Sequence, residues 1–247
     1  MRHRIAVVLV LVTVSVAHAA RVKTATGLIR WDPGYAFMAT ISWEAWAVGV
    51  EGSELITQDK ATSLVASSEY PKKVDGGPEK PQRQLSLKAK YQKNLVGFTK
   101  SFIYVGESVR YASDQPFLFC DYEDRPCLVI NAIASENTFN SVRLNSRQRA
   151  TRALETFIPG AAKSLLDSFQ LPKDLGFFIV TIVYGSKDFT NDYASSSAEA
   201  VSVVAKPEDW AKFAKAKTTI QEFLKTAGVY SYGMGNRGIK MEPQFTE

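Results

Sequence analysis

Histidines, cysteines and clustered carboxylates are where spacing in this chain could carry chemistry. The two histidines are His3 and His18, both within residues 1–19, a stretch expected to be removed. What remains has no imidazole. The commonest general base, any Ser-His-Asp or Cys-His arrangement and any histidine metal site are therefore excluded. Zinc would have to rest on cysteine and carboxylate alone, which two cysteines do not favour. Neither G-x-S-x-G nor S-x-x-K occurs, so the common settings of a serine nucleophile are missing as well. An enzyme built on this chain would run on carboxylates, Lys, Tyr or a cofactor. The reading leans away from catalysis, and nothing indicates a cofactor.

Cys120 and Cys127 bracket the hexapeptide DYEDRP, with PFLF before it and LVINAI after. That pattern predicts two strands joined by a short loop, with the cysteines facing each other across a hairpin. In an oxidising compartment such a pair is expected to form a structural disulfide. Closing so short a ring is worth about 2.5 kcal/mol on the chain-entropy model. The spacing does not match C-x-x-C, which argues against a redox pair. Asp121, Glu123 and Asp124 then form a possible binding loop for Ca²⁺ or a cationic partner. The loop lacks the glycine and spacing of an EF-hand, and a solvated hairpin tip is the plainer alternative.

Three of the four tryptophans fall in a cluster of Trp31, Tyr35, Phe37, Trp43 and Trp46. Aromatics at this density usually make core. The rival is an aromatic surface of Trp31, Trp43 and Trp46 on which a sugar stacks, with Glu44 as a nearby acid. Glycoside hydrolysis needs a second carboxylate, for which Asp32 and Glu51 are available. Arg143, Arg147, Arg149 and Arg152 form a basic stretch entering a helix. It is either a solvated face or a contact for anionic lipid, lipopolysaccharide or acidic protein. No aromatics interleave, so single-stranded nucleic acid is disfavoured. Asp188, Asn191 and Asp192 lie in a polar loop after an apolar strand, where a ligand site and a flexible connection are equally reasonable. Gly233, Gly235 and Gly238 spell G-x-G-x-x-G, but a helix precedes them and the chain ends soon after. A glycine-rich turn is the better reading than a dinucleotide fingerprint.

The elements that must position these groups are unevenly legible. Residues 35–50 are apolar on nearly every face; Asp32-Pro33 as a possible cap favours a helix over a strand. Residues 57–69 are a weaker helix candidate, and residues 72–84, rich in Pro, Gly and charge, an exposed loop. Residues 85–91 alternate strictly and predict a half-buried strand, which residues 95–109 and the cysteine hairpin extend into a sheet. Ser146 can cap a helix that Pro159 interrupts and that resumes through Phe169. Residues 177–184 predict a central strand and residues 199–205 another. Pro207 opens a helix with Trp210, Phe213, Ile220, Phe223 and Leu224 on one face and Gly228 as its stop. Helices and strands intersperse without regular alternation. The expected fold is α+β, a mixed or antiparallel sheet packed with two or more helices and one disulfide-pinned hairpin.

The N-terminus adds a location. Arg2 and Arg4 precede the apolar run 5–16, and Ala17-His18-Ala19 offers a cleavage site, the pattern of a secretory signal peptide. The run is too short to span a membrane. The expected organisation is a signal peptide, 1–19, followed by one globular domain, 20–247. Removing Arg2 and Arg4 leaves 28 basic residues against 25 acidic, a net charge of +3, too mild to argue for nucleic acid. With 45% apolar and 22% charged residues over 247 positions, the chain is neither disordered, collagenous nor a disulfide-dense miniprotein. Together these features point to a periplasmic or secreted protein that works by binding, as an accessory or interaction subunit. Its partner would be an envelope protein or an anionic envelope component. The alternative is a carboxylate-dependent hydrolase of an envelope glycan.

Overall fold

A computed structural model describes residues 26–28, 30, 31, 33, 55–72, 82–102, 109–112, 116–191, 197–232 and 238–245. Residues 1–19, Asp32, Tyr35, Phe37, Trp43, Glu44, Trp46, Glu51, Asp192, Gly233 and Gly235 lie outside them. One mixed sheet organises the rest. Its strands are β1 (Leu55–Thr57), β2 (Val109–Ala112), β3 (Phe117–Tyr122), β4 (Arg125–Asn140), β5 (Phe177–Lys187), β6 (Ser197–Ala205), β7 (Gly228–Tyr232) and β8 (Gly238–Lys240). The order is β1-β2-β4-β5-β6-β7-β8, and β3 also pairs with β4. All neighbours are antiparallel except β4 and β5, which run parallel with the long helix between them in sequence. Among the described residues five α-helices accompany the sheet: α1 (Gln58–Ala66), α2 (Gln82–Ser101), α3 (Ser146–Phe169), α4 (Pro207–Ala214) and α5 (Ile220–Thr226). The fold class is α+β, as the interspersed elements predicted.

Side-chain alternation along the strands sorts the interior into two clusters. Phe178, Val180, Ile182 and Tyr184 of β5 face one way, with Val201 and Val203 of β6, and meet apolar residues from all five helices. Phe177, Ile179 and Val183 face the other way, with Cys120, Cys127, Val129, Val204, Tyr232 and Trp31, and among the described residues that second cluster contains none from a helix. A β5 buried on both sides explains its unbroken apolar run.

The second face curls. From β3 to β8 is five strand steps, about 24 Å if the sheet were flat. Yet Trp31 donates its backbone N–H to the Asp121 carbonyl on β3 at 2.7 Å. Two residues on, a span of about 7 Å, the Pro33 carbonyl presses on Gly238 of β8, where a Cβ would collide with it. Glycine is required there because another stretch of backbone occupies the side-chain position.

Several local expectations are corrected. Residues 85–91 are not a strand but part of α2, and residues 95–101 continue that helix rather than a sheet. The alternation is real over seven residues, but Leu87, Tyr91, Leu95 and Phe98 recur at steps of four and three and form the buried stripe. Gln82–Gln84, expected in the exposed loop, begin the same helix, and Gln84 is buried. Pro159 does not interrupt α3. It sits exposed on the solvent side, where the carbonyl it cannot satisfy can turn to water. The cap is Asn145 rather than Ser146, in a reciprocal capping box with Gln148. The helix opened by Pro207 ends at Ala214. Ala216 adopts φ 53°, and Thr219 with Glu222 caps a second helix, a T-x-x-E signal that the apolar stripe obscured.

Candidate functional site: an aromatic cleft

The β3–β4 hairpin turns in two residues, Glu123 and Asp124, both at positive φ (51° and 58°), the geometry of a type I′ turn. The turn sets the register, and Cys120 stands opposite Cys127 as expected. The expected disulfide is absent; both side chains are thiols. They pack into the second cluster beside Trp31, Leu118 and Val129 and behave as small apolar groups. Burial, and then the neighbouring Cys120, push the Cys127 thiol well above its usual range, which holds it protonated and unreactive. The turn and the cross-strand ladder already hold the hairpin without a covalent link.

The three carboxylates of this loop do not converge. Asp121 is buried; one oxygen accepts the Asp124 backbone N–H at 3.1 Å and the other the Thr26 hydroxyl at 2.6 Å. Glu123 and Asp124 are exposed at the tip. Among the described residues no group of three His, Cys, Asp or Glu side chains could hold a metal ion. Asp121 is a structural clamp, and the Ca²⁺ expectation loses its central ligand.

Trp31 is core, not surface. It is 5% exposed and lies edge-on to Tyr122 and Tyr230, at 5.4 and 6.0 Å between ring centres. Trp43, Trp46 and the carboxylates Glu44, Asp32 and Glu51 of the hydrolase reading lie outside the described residues. The arginine row is split. Arg149 is buried and paired through both nitrogens of its fork to Glu199 of β6, and it also donates to the Leu144 carbonyl. Arg143, Arg147 and Arg152 are exposed. Asp188 is committed to its own loop: one oxygen accepts both the Thr190 N–H (2.8 Å) and hydroxyl (2.6 Å), which lower its pKa.

What spacing could not reveal is a cleft of about 820 Å³ at the end of the sheet where β5 begins and β6 ends. Its aromatic wall is Tyr122, Phe177 and Tyr230, from three strands. Tyr122 meets Phe177 edge-to-face at 5.0 Å, and the Tyr122 and Tyr230 hydroxyls lie 3.3 Å apart. Burial, reinforced by the bond to Tyr230, pushes the Tyr122 phenol far up, so it stays neutral and can donate or accept. Gly228 keeps the start of β7 low enough for the Tyr230 ring, since a Cβ would lie 3.2 Å from that ring. Gly176 does the same for Arg125, whose guanidinium lies over Phe177 at 5.9 Å.

Around this wall stand three exposed lysines, Lys206, Lys225 and Lys240, brought from the end of β6, from α5 and from β8. The carboxylates of the cleft are Glu123, Asp209 and Glu242, of which Asp209 is paired with Lys212 at 3.0 Å. The C-terminal strap, residues 241–245, closes one side. It is held by the Met241 N–H on the Val229 carbonyl (2.9 Å) and the Gln244 N–H on the Thr151 hydroxyl (2.8 Å). Such a site can hold a ring against the aromatics, exchange hydrogen bonds with two phenols and attract an anionic group at the rim. No run of sequence flags it, because its residues are scattered over more than a hundred positions, from Tyr122 to Phe245.

Known protein families, curated proteins and solved structures were compared with the chain, and none matches it. Among the described residues no helix is long and apolar enough to cross a membrane.

Proposed function

We propose that this is an exported, non-catalytic binding protein of the cell envelope, periplasmic or secreted, acting as an accessory or interaction subunit. Export rests on the signal-peptide pattern of residues 1–19. Binding rests on one observation: an aromatic wall of Tyr122, Phe177 and Tyr230 beneath Lys206, Lys225 and Lys240. That combination suits a ring-bearing anionic ligand, such as an acidic sugar of an envelope component.

Thermal shift against paired acidic and neutral sugars tests the reading. Acidic members are expected to raise Tm and their neutral counterparts to do so less. Reversing two rim charges together, Lys206→Glu with Lys225→Glu, is expected to weaken the acidic ligand about tenfold at low salt. A panel in which acidic and neutral sugars behave alike, or a double variant with unchanged affinity, would count against the cleft. Intact mass of protein from the exported fraction checks the location. A mature chain beginning at Ala20 is expected, and an uncleaved N-terminus would refute signal-peptide processing.

A further inference from the structure

We infer that the far end of the β4–β5 pair is a docking surface for an anionic lipid membrane. The parallel strands leave the sheet together, with Asn140 paired to Lys187 and the Ser141 N–H bonded to the Lys187 carbonyl at 3.0 Å. Two residues beyond each paired position stands a large apolar side chain in water: Val142, 60% exposed, and Phe189, 54% exposed. Their equal offset from a paired position places both at the same end of the sheet. Both are held outward on fixed turns. The Asn140 side-chain oxygen accepts the N–H groups of Val142 (2.9 Å) and Arg143 (3.1 Å), and Asp188 fixes the turn that carries Phe189.

Charge identifies the partner. Arg143, next to Val142 in the chain, and Arg147, in the first turn of α3, are exposed, and Lys187 is half-buried two residues before Phe189. Within the described part of these two turns the acid is Asp188, already bonded to Thr190. The first turn of α3 contains no acidic residue and does contain Arg147. A helix N-terminus is itself positive, so cations there oppose the ordinary preference. An anionic surface outside the molecule would relieve that opposition. Exposed apolar tips on turns that also carry cations match the boundary of an anionic bilayer, where the tips enter the headgroup layer and the cations meet lipid phosphates. An acidic protein would meet the cations equally well but would not require two outward apolar tips.

This deepens the envelope-partner reading and does not depend on the cleft. Phe177, on the cleft wall, and Lys187, on the docking surface, are opposite ends of β5. The test is co-sedimentation of the purified full chain with vesicles of phosphatidylcholine alone or with phosphatidylglycerol admixed. Binding is expected on the mixed vesicles and not on phosphatidylcholine alone, and it should weaken as salt rises from about 0.1 to about 0.5 M. Val142→Ser with Phe189→Ser should lower partitioning at least about tenfold. Arg143→Gln with Arg147→Gln should lower it about twenty-five-fold, at roughly fivefold per charge. All four positions are exposed, so unchanged Tm values will show that the variants fold. No binding to mixed vesicles, equal binding to both kinds, or full binding by either double variant would overturn the docking surface. None of these outcomes touches sugar binding in the cleft.

Discussion

Cys120 and Cys127 show how one side chain's role depends on what surrounds it. Their spacing predicts a hairpin pair, and the hairpin pairs them, yet they serve as apolar filling behind Trp31. Burial opposes the Cys127 thiolate, and the thiolate is the species that reacts. In protein purified without reductant, an aromatic disulfide reagent is therefore expected to label neither thiol while the fold is intact. Both should react in denaturant. An absence of thiol in the denatured protein would establish the bond that the structure lacks. Asp121 makes the same point with opposite chemistry: a carboxylate that reads as a ligand spends both oxygens holding its own turn and Thr26.

At the scale of elements, the decisive variable is the length over which a pattern is read. Seven alternating residues describe a strand, but the four-three spacing from Leu87 to Phe98 describes a helix, and the longer pattern prevails because it buries a continuous stripe. Helix α3 tolerates Pro159 for a related reason. Its buried stripe, from Ala150 through Leu154, Phe157, Ile158 and Leu165 to Phe169, passes the proline on the other side. Packing then outweighs a lost hydrogen bond. Pro159→Ala restores an N–H for the carbonyl one turn back and removes the ring clash without touching the core. It is expected to stabilise the protein by about 1–3 kcal/mol in urea unfolding. A loss of stability would mean that the backbone geometry the proline ring imposes at position 159 is needed for packing.

For the whole molecule, the second face of the sheet poses the question. Every described helix packs on the first, while Arg30, Trp31 and Pro33 tie β3 to β8 across the second. Trp31 is the central pin, touching Tyr122 and Tyr230 of the cleft wall. Trp31→Ala should cost about 3–5 kcal/mol in denaturant unfolding and loosen the cleft with it. Ile239→Ala, at a side chain 68% exposed on β8, should cost under about 0.5 kcal/mol. Equal effects would show that Trp31 is not a structural pin. The same curl draws the aromatic residues of the cleft together at the end where β5 begins.

Much of this was legible in the chain itself. Apolar runs long enough to be unambiguous gave β5 and β6, and Pro207 with two acids marked the start of α4, because burial on both faces and helix-end chemistry are local properties. The hairpin, its register and the α+β class follow from the same local rules. The confinement of both histidines to residues 1–19 and the missing nucleophile motifs restrict the chemistry without reference to any fold. Tertiary structure decided the rest. It made residues 82–101 helical, turned Asp121 inward, and paired Arg149 with a glutamate fifty positions away. It also assembled a cleft from Tyr122, Phe177, Lys206 and Tyr230. Each of these depends on which distant surface a side chain meets. Spacing along a chain encodes direction within an element, but not the partner across a fold.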